Sequence, residues 1–170
     1  THDCPAFDAA NVTVSFRNAP LRRAFDRSIQ QLARMPGRAP GPAGAGNGHN
    51  LGLAHAVFEQ SYDIGVSYGP VGGGAFCGAL TSLDVTFGTR ERAVYVAKEL
   101  PRNTCIHREV LDHEMHHVQV DEALMKECLP TVKRRLATLA GRMGTVRARS
   151  QQQVMASLRK PIDAELKKIL

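Results

Sequence analysis

Polar and apolar residues alternate over Asn11-Val12-Thr13-Val14-Ser15-Phe16, the period of a half-buried strand. Asn18 can then cap a helix with Pro20 in its first turn, and Leu21, Phe25, Ile29 and Leu32 fall on one helical face. The pattern predicts a helix packed on a sheet and ending near Met35, followed by a mobile Pro- and Gly-rich loop over residues 36–50. Ala54-His55-Ala56-Val57-Phe58 and Asp63-Ile64-Gly65-Val66-Ser67-Tyr68 read as two strands, with glycines interrupting over residues 69–74. Leu83-Asp84-Val85-Thr86-Phe87 alternates again. Gly88-Thr89-Arg90-Glu91 reads as a turn, and Ala93-Val94-Tyr95-Val96-Ala97 as the return strand of a hairpin.

From Ile106 the period changes to that of a helix, and no Gly or Pro occurs between Arg108 and Leu129. Beyond Pro130 two further stripes follow. Val132, Leu136, Leu139 and Met143 form one, and Val154, Leu158, Ile162 and Leu166 the other, with breaks or kinks expected at Gly141, Gly144 and Pro161. The expected fold class is α+β: a small, mostly antiparallel sheet backed by an N-terminal helix, then a helical C-terminal half. At 170 residues one domain over 1–170 can bury a sizeable core.

Charge and cysteine change this picture in two places. The formal net charge is +6. Much of the excess lies after Cys128, where Lys133, Arg134, Arg135, Arg142, Arg147, Arg149, Arg159, Lys160, Lys167 and Lys168 face only Asp163 and Glu165. Such a face either keeps the chain solvated or recruits it to an anionic surface. Nucleic acid is not expected, because the aromatics that stack on single strands are missing there and no reading motif occurs. Cys4, Cys77, Cys105 and Cys128 contain no C-x-x-C pair, which argues against a four-cysteine zinc site. At least one disulfide is expected, with Cys77–Cys105 the chosen pairing, since both flank the passage from sheet to helix. No apolar run is long enough for a transmembrane segment. Thr1-His2-Asp3-Cys4 has neither a basic start nor an apolar core, so no leader is read in this chain.

The chemistry concentrates in His113-Glu114-Met115-His116-His117. Residues four apart on a helix lie one above the other, so His113 and His117 can offer two imidazoles to one Zn²⁺. Glu114 sits about 100° round from His113, beside the metal, where a carboxylate can take a proton from bound water. His116 points to another face. A chance match in a chain of this composition has odds of about 1 in 100.

A catalytic zinc takes three protein ligands and one open position. Asp121 lies about 12 Å along the axis from His113, too far for a short side chain on a straight helix; it either hydrogen-bonds a ligating histidine or is simply exposed to solvent. Glu122 faces away. The third ligand is therefore expected outside the active helix or at its end, with Glu127, Asp163, Glu165, His107, His55 and Asp63 as candidates. Residues 93–97, just before the helix, are the candidate edge strand for an extended substrate. Tyr62, Tyr68 or Tyr95 could donate to an oxyanion, although tyrosine often simply packs in sheets.

The run from Cys105 to Leu124, with Phe76-Cys77-Gly78 and the hairpin before it, resembles a bacterial domain-of-unknown-function family described as predicted secreted zinc-dependent proteases. The resemblance covers roughly Cys4 to Leu129 in its order of elements, and its specific part is the His-Glu-x-x-His core. The glycine common two residues after the glutamate is His116 here. The resemblance implies a zincin-like fold, a Zn²⁺ cofactor held by His113 and His117, Glu114 as catalytic general base, and export to a secreted or periplasmic location. The expected activity is a zinc metallopeptidase acting on peptide or protein substrates. The alternative is a non-catalytic binding protein on the same scaffold, recruited to an anionic cell-envelope surface by its basic C-terminal helices.

Overall fold

The computed structural model describes residues 4–36 and 50–169. Its elements are β1 (Asn11–Asn18), β2 (Arg22–Ala24), α1 (Ile29–Ala33), β3 (Gly52–Val71), β4 (Ala75–Val96), α2 (Cys105–Met143), β5 (Thr145–Ala148) and α3 (Gln151–Ile169). Five strands and three helices make a mixed α/β architecture. The expected loop over residues 36–50 lies almost wholly outside the described residues.

The sheet is organised around β4 and is mixed, which corrects the mostly antiparallel sheet expected. β3 and β4 are joined by the three-residue turn 72–74, which fixes them as antiparallel neighbours. β5 is also antiparallel to β4, with Phe76 opposite Ala148 and Ala79 opposite Thr145. β2 is parallel to β4, with Arg22 opposite Ala93 and Ala24 opposite Tyr95. β1 keeps the same offset: Thr13 bonds Asp84, Ser15 lies 3.1 Å from Thr86, and Thr89 donates to Asn18 at 3.0 Å.

Three local expectations fail for identifiable reasons. Residues 18–35 do not form one helix. The chain stays extended into β2, whose backbone finds partners on β4, and only Ile29–Ala33 is helical. Ser28 caps that short helix, its hydroxyl accepting from Gln31 N–H while the Gln31 side chain accepts from Ser28 N–H. The hairpin over residues 83–97 is absent, because residues 88–91 remain inside β4. Gly88 serves close approach, not a turn: a Cβ there would lie 1.5 Å from the Arg17 carbonyl oxygen. The two short strands expected over residues 54–68 are one strand of 20 residues.

The chain divides into two compact units. One comprises Thr1–Phe16, Gln60–Phe87 and Glu127–Leu170; the other comprises Arg17–Glu59 and Gly88–Lys126. In the first, the α3 stripe Val154, Leu158, Ile162 and Leu166 is buried, as the period predicted, together with Val132 and Leu136 of α2. Helix α3 approaches β4 so closely that a Cβ on Gly78 would meet Val154 at 2.4 Å. Cys77 is fully buried and forms a disulfide with Cys4, their Cα atoms 5.6 Å apart. A disulfide is therefore present, but Cys4 takes the place expected for Cys105, which is free and exposed like Cys128.

In the second unit, Ala24, Leu32, Ala93, Tyr95 and Ala97 form a core that Ile29, Met35 and Leu53 complete on the α1 side of the sheet. The first part of α2 covers the other side. Phe25 stacks against His107 with ring centroids 5.1 Å apart, and Arg92 of β4 pairs with Glu122. Among the described residues no helix is long and apolar enough to cross a membrane.

Candidate metal centre

Thr104 starts the helix that carries the motif. Its hydroxyl accepts from His107 N–H at 3.3 Å, and its carbonyl accepts from Arg108 N–H at 3.3 Å, as an N-cap does. Helix α2 then runs through the motif without a break. His113 and His117 are both exposed, and their Nε2 atoms lie 3.2 Å apart. Two nitrogens bound tetrahedrally to one zinc are about 3.3 Å apart, so the pair fits two adjacent coordination positions.

Glu114 is placed differently. It is 9% exposed and turned towards β3, where Ala54 N–H donates to its Oε2 at 2.8 Å. The strand comes this close because residue 52 is glycine: a Cβ there would sit 2.6 Å from Val110 and 2.9 Å from Glu114 Oε1. One carboxylate oxygen is thus fixed by the strand, and Oε1 also faces it, beside Gly52.

At about 100° per residue, Ile106, His113, His117, Val120 and Leu124 fall within roughly 60° of one another on α2. Ile106, Val120 and Leu124 are 49%, 41% and 53% exposed. The histidine pair therefore lies in the middle of an exposed apolar stripe.

The candidates for a third ligand are not gathered here. Among the described residues no group of three or more His, Cys, Asp or Glu side chains is arranged to hold a metal. His107 is buried against Phe25, about 120° round the helix from His113, and its Nε2 has no hydrogen-bond partner. Leu53 faces the α1 side of the sheet, so strand alternation directs His55 to that side, away from α2. Asp121 stays on the uninterrupted helix. Asp63, Glu127, Asp163 and Glu165 belong to the other unit. There Asp163 accepts from the Tyr62 hydroxyl and Glu165 pairs with Arg135.

The substrate-side expectations also change. Residues 93–97 are not an edge: they are buried, pair with β2 on one side, and Ala97 N–H donates to Leu51 O. The strand beside Glu114 is β3, which pairs with β4 and with no other described strand. Tyr95 is a core residue whose hydroxyl accepts from Arg22 at 2.7 Å. Tyr62 lies under Arg159, and burial, followed by its bond to Asp163, raises its hydroxyl above the ordinary tyrosine value. The role of Gly52 and Ala54 was missed from sequence. Its only local trace is a glycine at the start of an otherwise continuous strand.

No protein-family model, curated protein or solved structure matches this chain.

Proposed function

We propose that the chain is a zinc-dependent peptidase, secreted or periplasmic, with His113 and His117 as metal ligands and Glu114 as general base. The observation that carries this reading is the pair of exposed imidazole nitrogens 3.2 Å apart on α2, with Glu114 next to His113 along the same helix. Zinc held there would supply an activated water and polarise the scissile carbonyl. The chain's own part is positional. Ala54 N–H anchors Glu114 through Oε2, so Oε1 is left to accept a proton and return it to the leaving amine. An extended substrate would add to the outer edge of β3 beyond Ala54, whose own N–H is taken by Glu114. Ile106, Val120 and Leu124 would then favour apolar side chains near the scissile bond. The Cys4–Cys77 disulfide fits an oxidising compartment.

A non-catalytic binding protein is the second reading. It is favoured by the bond from Ala54 N–H, which gives Glu114 a structural use independent of any reaction. One experiment separates the two. Purified protein supplied with zinc at neutral pH should hold about one zinc per chain, lost in His113→Ala/His117→Ala. Glu114→Gln keeps an oxygen for Ala54 N–H but loses the base. It should retain zinc and melting temperature while cleavage of a mixed peptide library falls by about 10² to 10⁴. Absence of stoichiometric zinc sinks the metal reading. Undiminished cleavage by Glu114→Gln sinks the mechanism, and no cleavage by either protein moves the binding reading ahead.

A further inference from the structure

The unit that does not contain the histidine pair has a cleft of its own. It measures about 400 Å³ and is lined by Arg134, Arg135, Thr138, Leu139 and Arg142 of α2 and by Glu165 of α3. It is open to solvent, with Arg134, Arg135, Thr138 and Arg142 all exposed. Three arginines against one carboxylate leave the lining with a formal charge of 3 − 1 = +2.

The one carboxylate is already engaged. Arg135 donates to Glu165 Oε1 from Nε at 2.9 Å and from Nη2 at 2.6 Å, and Lys168 Nζ stands 3.9 Å from Oε2. Glu165 therefore orients Arg135 and repels an incoming anion little. Arg134, Thr138 and Arg142 succeed one another at four-residue intervals and so share one face of α2. Arg134 spends one Nη2 bond on Thr131 Oγ1 at 3.2 Å, and Arg142 has no partner among the described residues. The Thr138 hydroxyl donates back to the Arg134 carbonyl at 2.9 Å, so the guanidinium groups are the donors that face the cleft. Two guanidinium forks separated by two helical turns, about 12 Å of rise, can close from both sides on a ligand between them.

We propose that this cleft binds a phosphate ester, with Arg134 and Arg142 gripping the phosphate and Leu139 contacting the carbon chain next to it. Charge and geometry select the phosphate: the net lining charge matches a dianion, and the planar forks match its oxygens bidentately. Leu139 selects an ester over the free ion. The ester could be a soluble metabolite or a lipid headgroup, and the chemistry recognised is the same. The proposal does not rest on the peptidase reading, since it uses no residue of the motif.

Calorimetric titration of the full chain at low salt tests it, with inorganic phosphate and glycerol 3-phosphate as probes. One saturable site per chain is expected, tighter for the ester. Arg142→Gln alone should weaken it, and Arg134→Gln/Arg142→Gln should weaken it at least about tenfold, with zinc content and melting temperature unchanged. Lys160→Gln/Lys167→Gln removes the same charge from exposed positions outside the cleft and should change affinity less than about twofold. Vesicles of phosphatidylcholine with phosphatidic acid identify the source. Binding lost in the double arginine variant points to a lipid headgroup; vesicles left unbound, or bound equally by that variant, point to a soluble ester. Absence of saturable binding to either small probe overturns the proposal. So does an equal loss in the lysine variant, which would reduce the cleft to general basic charge.

Discussion

Glu114 and Ala54 meet across 60 positions of chain, and Gly52 is what lets them. Adding a methyl group at residue 52 would drive it into Val110 and Glu114, and the side chain that can yield is the glutamate. Gly52→Ala is therefore expected to cost about 1 to 3 kcal/mol, measured by denaturant unfolding, and to displace the carboxylate. If Glu114 is the base, this variant loses cleavage out of proportion to stability while zinc content holds. His107 makes the opposite case. Its Nε2 is buried without a partner, a condition that costs about 1 to 3 kcal/mol. His107→Leu should leave stability equal or raise it by about 1 kcal/mol, and leave zinc binding unchanged. A loss of zinc in this variant would put His107 on the metal after all.

At the scale of elements, legibility followed distance along the chain. The histidine pair and the stripe from Val154 to Leu166 could be read because a helix brings residues four apart together without help from elsewhere. The strand that fixes Glu114 could not, since nothing near residue 54 names a glutamate in a helix far downstream. Glycine was ambiguous for a related reason. Gly88 looks like a turn locally, and only the Arg17 backbone beside it shows that it serves close packing. The cap signal of Asn18 and Pro20 was overridden by pairing of β2 with β4. The join between β4 and α2 carries its own prediction. Arg92 bonds Glu122 and holds its carboxyl below the ordinary glutamate value. A depressed folded pKa contributes stability above the unfolded value, and that stability is lost as pH falls through the folded one. Glu122→Gln should thus melt below the wild type at pH 7, by no more than about 1 kcal/mol for a partly exposed pair. The two should converge as pH falls below about 4, below the unfolded value. A gap that persists in acid would assign the difference to packing instead of charge.

For the whole molecule, both compact units are assembled from segments distant in sequence, so long-range links decide how well each holds. The Cys4–Cys77 disulfide joins two such segments of one unit, 73 positions apart. In the chain-entropy model a loop of that length stabilises by about 4 kcal/mol, which for a chain of this size is roughly 8 to 16 °C in melting temperature. Cys4→Ala/Cys77→Ala should show a drop of that order or somewhat less, and reduction of the wild type should reproduce most of it. Cys105→Ser/Cys128→Ser changes two exposed free thiols and should stay within about 0.5 kcal/mol of wild type. Thiol titration gives the sharper check. The unfolded, unreduced chain should expose the two thiols of Cys105 and Cys128, and mapping should recover one linked peptide pair containing Cys4 and Cys77. Four free thiols would remove the cross-link and with it the structural ground for an oxidising compartment. A Cys77–Cys105 pair would instead take Cys77 from Cys4 and leave Cys4 as a free thiol, which the linked peptides would show directly.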